Sequence, residues 1–158
     1  MLRRTNGDLG KMAIEGYFDV IIQGNNCWNT WGGGIARQFR DQFPEAYAAD
    51  RATVPGDIGK LGNYTRAKIM LLEHSFQVIN AYTQYDMSTG EDVFEYEAFQ
   101  LILKKLLATE PDGLNWGFPL IGMGLAKGDP TRIMPMIENF AALITQNGGT
   151  VTLVTFDK

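Results

Sequence analysis

Apolar positions fall into two patterns that alternate along the chain. Phe18-Asp19-Val20-Ile21-Ile22-Gln23 is a short β-branched run, the signature of a strand covered on both faces. Ile35, Phe39 and Phe43 then recur four residues apart, so Ile35 to Phe43 reads as a helix with one apolar face. Pro44 to Arg51 reads as a second short helix, with Pro44 in its first turn. Thr65 to Leu72 and Phe76 to Thr83 read as strands joined by the turn Glu73-His74-Ser75. Glu91 to Ala108 carries Phe94, Ala98, Leu101 and Ile102 at helical spacing, and Lys104-Lys105 suit its C-terminal end. Asn115 to Met123 reads as another buried strand, Thr131 to Thr145 as a helix closed by Asn147-Gly148-Gly149, and Thr150 to Phe156 as the last strand. Strands alternating with helices predict a three-layer α/β/α domain, with a mixed, mostly parallel sheet and helices on both faces. Such folds bind ligands beyond the carboxyl ends of their strands.

The 158 residues suit one domain spanning 1–158 with one sizeable core, and 45% hydrophobic against 20% charged argues against disorder. The net charge of -4 excludes the basic footprint of a nucleic-acid binder, so an anionic ligand must be gripped by backbone amides and helix ends. One cysteine, Cys27, and one histidine, His74, exclude an internal disulfide framework and clustered metal sites. No stretch has the run of ~18 apolar residues that spans a membrane, and Met1-Leu2-Arg3-Arg4 leads into no apolar segment. The expectation is a cytoplasmic monomer without cofactor or membrane contact.

Two loops carry the candidate chemistry. Gly24 to Gly34 links a strand to a helix and ends in Gly32-Gly33-Gly34, where the backbone can approach a ligand with no Cβ in the way. The following helix offers unpaired N–H groups and a partial positive charge. Gly122 to Gly128 repeats that arrangement after a second strand, on the same rim. No Gly-Lys-Ser/Thr follows the triplet, the glycine spacing is not the dinucleotide fingerprint, and no Gly-x-Ser-x-Gly elbow occurs.

Asn6-Gly7-Asp8-Leu9, Gln23-Gly24-Asn25-Asn26, Gly32-Gly33-Gly34-Ile35-Ala36 and Pro119-Leu120-Ile121-Gly122-Met123-Gly124-Leu125, in that order, resemble the landmarks of a macro domain. The closing run from Val151 to Asp157 is also similar to that family's last strand. Cys27 to Ala36 looks nearest to the yeast-type ADP-ribose 1″-phosphate phosphatases and their small viral and bacterial relatives. The resemblance implies that Asp8, beside the Leu9 backbone, accepts from the adenine amine, and that Asn26 contacts the distal ribose. It implies that Gly32, Gly33, Gly34 and Ile35 face the ribose and diphosphate, while Gly122, Met123, Gly124, Leu125 and Ala126 close over the diphosphate. Phe156 matches an aromatic that stacks near adenine. Plainer readings stay open: Asp8 as a helix cap, Asn26 as a turn residue, Phe156 as core. Trp31 either walls the distal ribose pocket or packs against the next helix.

Two departures bear on chemistry. Where some relatives that remove ADP-ribose carry a lysine, this chain has Gln84; where they carry an aspartate after the second loop's glycines, it has Ala126. Asp129, three residues on, reads either as a helix N-cap or as a general base for water at the distal phosphate. The catalytic candidates are therefore Asp129, Asn26 and Gln84. The implied function is binding of ADP-ribose or a derivative, with hydrolysis of ADP-ribose 1″-phosphate to ADP-ribose and phosphate. The alternatives are a non-catalytic module that binds or sequesters an NAD-derived signal, and a glycohydrolase acting on ADP-ribosylated protein or nucleic acid. The missing lysine and displaced acid favour the binding module over the glycohydrolase.

Overall fold

The computed structural model describes residues 1–87 and 90–156. Six strands form one sheet: β1 (Leu2–Asn6), β2 (Val20–Asn26), β3 (Tyr64–Met70), β4 (Ser75–Gln84), β5 (Asn115–Phe118) and β6 (Thr150–Thr155). Their order is β1-β6-β5-β2-β4-β3, and only β3 with β4 is antiparallel. The helices are α1 (Leu9–Ile14), α2 (Gly34–Gln42), α3 (Pro44–Arg51), α4 (Tyr96–Thr109) and α5 (Pro130–Gln146).

Period-two alternation divides the core between the two faces of the sheet. On β2, Val20 and Ile22 join Phe99, Ile102 and Leu106 of α4 and Ile133, Ile137 and Phe140 of α5. Ile21 between them joins Leu9 of α1, Phe39 of α2 and Ala46 of α3. This is the three-layer α/β/α arrangement expected from the alternation of elements. Each fully buried Ile or Val contributes about 1.5–3 kcal/mol, so a strand buried on both faces is favoured over one exposed on either.

Several boundaries differ from the periodicity, each for a tertiary reason. β1 carries one apolar residue, Leu2, and its order comes from pairing with β6. α1 has only six residues and starts where the Asp8 side chain accepts from the Lys11 N–H at 3.0 Å. Residues 91–95 are not helical, because Val93 N–H donates to Ala126 O and Glu95 N–H to Thr83 O, which tie the segment to the second loop and to β4. β5 stops at Phe118 because Pro119 follows and the chain folds on itself, with Gly128 N–H donating to Gly122 O at 2.7 Å. Asp157, part of the closing motif, lies outside the described residues.

Candidate functional site

Five strands run in parallel, so their carboxyl ends share one rim. A cleft of about 700 Å³ lies across that rim. It starts at Val154 and Thr155 on β6 and at Phe156 just after it, passes the loop after β5, crosses Gly24, Asn25 and Asn26 on β2, and ends at Gln84 on β4. Neighbouring strands sit about 4.8 Å apart, so β6 to β4 is roughly 14 Å.

The first loop is pinned from behind. Asn26 Oδ1 accepts from the N–H groups of Trp28 (2.9 Å) and Thr30 (3.4 Å). Its Nδ2 donates to Thr30 O (3.2 Å) and Thr30 Oγ1 (2.6 Å). Asn29 holds φ of 60° and donates to the carbonyls of Asp50 and Thr53. Trp31 is buried and its indole N–H donates to Asp50 Oδ2 at 2.7 Å, while the Tyr82 hydroxyl donates to Asp50 Oδ1 at 2.6 Å. Burial first, and the hydrogen bond to Asp50 second, push the Tyr82 phenol well above its ordinary pKa. With its flanks held, the triplet is presented to the cleft.

α2 begins on that triplet. Its N-cap is Gly33, which supplies no side-chain acceptor, so the N–H groups of the first turn stay open. The N–H groups of Gly32 and Gly33 likewise have no partner among the described residues. Across the cleft, the second loop is folded by its own hydrogen bonds, from Met123 N–H to Leu120 O and from Lys127 N–H to Gly124 O. That leaves the N–H groups of Gly122, Gly124, Leu125 and Ala126 without partners among the described residues. Gly122 has φ of +75°, and a Cβ there would run into the Phe94 ring, so no other residue fits. Leu125 reaches over to the first loop: a Cβ on Gly33 would lie 2.8 Å from its Cδ1. Among the described lining residues Lys127 alone carries charge.

Leu9, Asn26, Gly32, Gly33, Gly34, Ile35, Gln84, Gly122, Gly124, Leu125, Ala126 and Phe156 line the cleft together. Phe156 is 60% exposed, which corrects the core-packing alternative. Four expected residues do not line it. Trp31 packs behind the loop against Tyr47, with ring centroids 5.3 Å apart, because its N–H is drawn to buried Asp50. Met123 packs on the α4–α5 core. Asp8 caps α1 and accepts from Gln38 Nε2 at 2.8 Å. Asp129 caps α5, accepting from Thr131 N–H and Oγ1–H at 2.9 and 2.8 Å, and these bonds hold its carboxyl below the usual range. Asn26 is in the wall, but both ends of its amide are engaged by the loop. Cys27 is buried off the cleft and its burial raises the thiol pKa. His74 contacts Ala13 O, away from the rim.

Two residues escaped the sequence reading. Asn25 lines the cleft at 5% exposure, and its Oδ1 has no partner. Its position two residues after Gln23 on an alternating strand was the available signal. Asp50 is fully buried at the end of a surface-looking helix, and nothing local marks it.

Among the described residues, no group of His, Cys, Asp or Glu could hold a metal ion, and no helix is long and apolar enough to cross a membrane. No family model matches the chain. An uncharacterized 17.5 kDa protein of the tk–vs intergenic region of Enterobacteria phage T4 is 29% identical over 146 residues, covering 90% of this chain and 91% of that protein. The macrodomain of Thermus aquaticus DarG is similar at a TM-score of 0.65 and 19% identity, over 100% of this chain and 99% of that one. Thermosipho africanus DarTG in complex with ADP-ribose is similar at a TM-score of 0.73 and 15% identity, over 98% of this chain and 41% of that one. The class defined by these likenesses is one of fold: the chain has the macro domain fold.

Proposed function

We propose that the protein binds ADP-ribose or a close derivative in this cleft, with residues 1–158 acting as a single macro domain. The observation that carries the reading is the pair of glycine-rich loops facing each other with unpartnered backbone N–H groups, one of them at the uncapped start of α2. Such donors hold a diphosphate without lysine or arginine. Exposed Phe156 beside Leu9 and Val154 offers a flat apolar seat for a base at one end. The likeness to a protein solved with ADP-ribose supports the choice of ligand. Calorimetry tests it: saturable binding of ADP-ribose is expected, and no heat at millimolar ligand would sink the reading.

Hydrolysis of ADP-ribose 1″-phosphate is the second reading, favoured by Gln84 at the end of the cleft far from Phe156. Its Nε2 is fixed by Asp86 O at 2.8 Å, which leaves Oε1 to orient a water. Preorganised loop dipoles would stabilise the charge that develops on phosphate. No Asp, Glu or His is among the described lining residues, and Gln84 is the residue this reading assigns to orient the water. Phosphate release from ADP-ribose 1″-phosphate separates enzyme from binder. Gln84→Ala should lower release, while Asp129→Ala should match the parent protein.

A further inference from the structure

We infer that a second hollow, beside the base end of the cleft, takes a phosphate group carried on the 2′ or 3′ hydroxyl of the adenosine ribose. This rests on the ligand proposed above and names a class for it: ADP-ribose phosphorylated on that sugar. The hollow measures about 320 Å³ and is lined by Arg4, Thr5 and Asn6 of β1 and by Leu153 and Thr155 of β6. Thr155 also lines the main cleft, so the two spaces share a wall. In register, Arg4 lies beside Leu153 and Asn6 beside Thr155. Leu153 belongs to the core under α4 and α5, and alternation puts Arg4, Asn6 and Thr155 on that same face of the sheet.

Two donors are open there. The Arg4 side chain is exposed and makes no hydrogen bond or ion pair among the described residues. The Asn6 amide has a fixed direction, because its Oδ1 accepts from Thr155 Oγ1 at 2.6 Å. Its Nδ2 has no partner among the described residues. A charged fork and an amide N–H therefore stand on one face, two residues apart. That pair suits the several oxygens of a phosphate monoester better than a neutral hydroxyl.

The connectivity of the ligand places the phosphate. Leu9 and Val154, in the base seat, belong to the core on the α1 side of the sheet. The second loop leads into α5, on the opposite side. The ribose that joins base to diphosphate thus crosses the strand ends beside Thr155. Its 2′ and 3′ hydroxyls are the positions free to carry another group, and the hollow opens next to that crossing.

Calorimetry compares ADP-ribose with its 2′-phosphate on the parent protein, Arg4→Gln and Asn6→Asp. Adenosine 3′,5′-bisphosphate against AMP, each competing with ADP-ribose, reads the other hydroxyl. In the parent, one phosphorylated probe should bind roughly three- to tenfold tighter than its plain counterpart. Arg4→Gln should abolish that preference and leave ADP-ribose affinity within about twofold. Its unliganded melting temperature should match the parent's, since the Arg4 side chain has no partner to lose. Asn6→Asp keeps the acceptor for Thr155 and adds a negative charge, so it should discriminate against the phosphate. The parent's preference should also shrink as salt rises, because the guanidinium is exposed. Equal affinity for phosphorylated and plain probes at both positions overturns the assignment, and so does a preference that Arg4→Gln leaves intact. Failure of the parent to bind any of these probes sinks the ligand reading itself, and this assignment with it.

Discussion

Replacing Asp50 with alanine leaves the Trp31 indole N–H and the Tyr82 hydroxyl without an acceptor in a fully buried place. The expected cost is about 2–5 kcal/mol, read from denaturant midpoints at constant m-value. Tyr82 adds a pH dependence with a definite sign. Its phenol titrates near 10 when unfolded and higher when folded. The stabilisation is therefore complete below about pH 10 and is lost as pH rises above it, so urea midpoints should fall on the alkaline side. Neither residue announces its role in the sequence. Asp50 takes its meaning from Trp31 and Tyr82, which reach it from two other elements. Asn26 was legible as a special position at the end of β2, but not the direction in which its amide would be spent. Asp129 was legible in both of its readings, and the hydrogen bonds to Thr131 favour the cap.

Gly122 tests the second loop as a unit. In Gly122→Ala, the added Cβ meets the Phe94 ring at a backbone angle that L-residues avoid. Destabilisation of about 2–4 kcal/mol and loss of ADP-ribose binding are expected together, by chemical unfolding and calorimetry. Elements that bury an apolar face by themselves were legible, and α2, α3 and α5 follow their periodicity closely, whereas β2 starts at Val20 and runs on through Gly24, Asn25 and Asn26, read from sequence as the start of the loop, because these residues pair with Ala81, Tyr82 and Gln84 of β4. β1 and α1 were not, because one apolar residue in five and a six-residue helix carry no period. They exist through β6 and the Asp8 cap. The segment before α4 failed for the opposite reason. Its pattern suits a helix, but hydrogen bonds to Ala126 and Thr83 hold it extended and bring Phe94 under the second loop.

The whole molecule carries a net charge of -4 and is expected to hold an anion with backbone dipoles and one flanking lysine. Long-range repulsion between protein and ligand is screened by salt, whereas short-range amide contacts are not. ADP-ribose affinity should therefore hold steady or rise between about 50 and 300 mM salt. A site built on arginine and lysine would weaken over the same range, and that outcome would count against the amide grip. The α/β/α architecture was the most legible feature of all, since it follows from the alternation of two periodicities and needs no single residue to be right.

The pairing of β1 with β6 also governs how the domain comes together. Leu2 to Asn6 lie against Val151 to Thr155, so β1 docks only after nearly the whole chain has been gathered. Contacts so distant in sequence are slow to close, because the intervening chain loses its freedom before they form. Phe156 directly follows β6, and Leu9 follows β1 across a short turn. The apolar end of the cleft is thus assembled in the same late event, and the seat proposed for a base is complete only as the most remote strands meet.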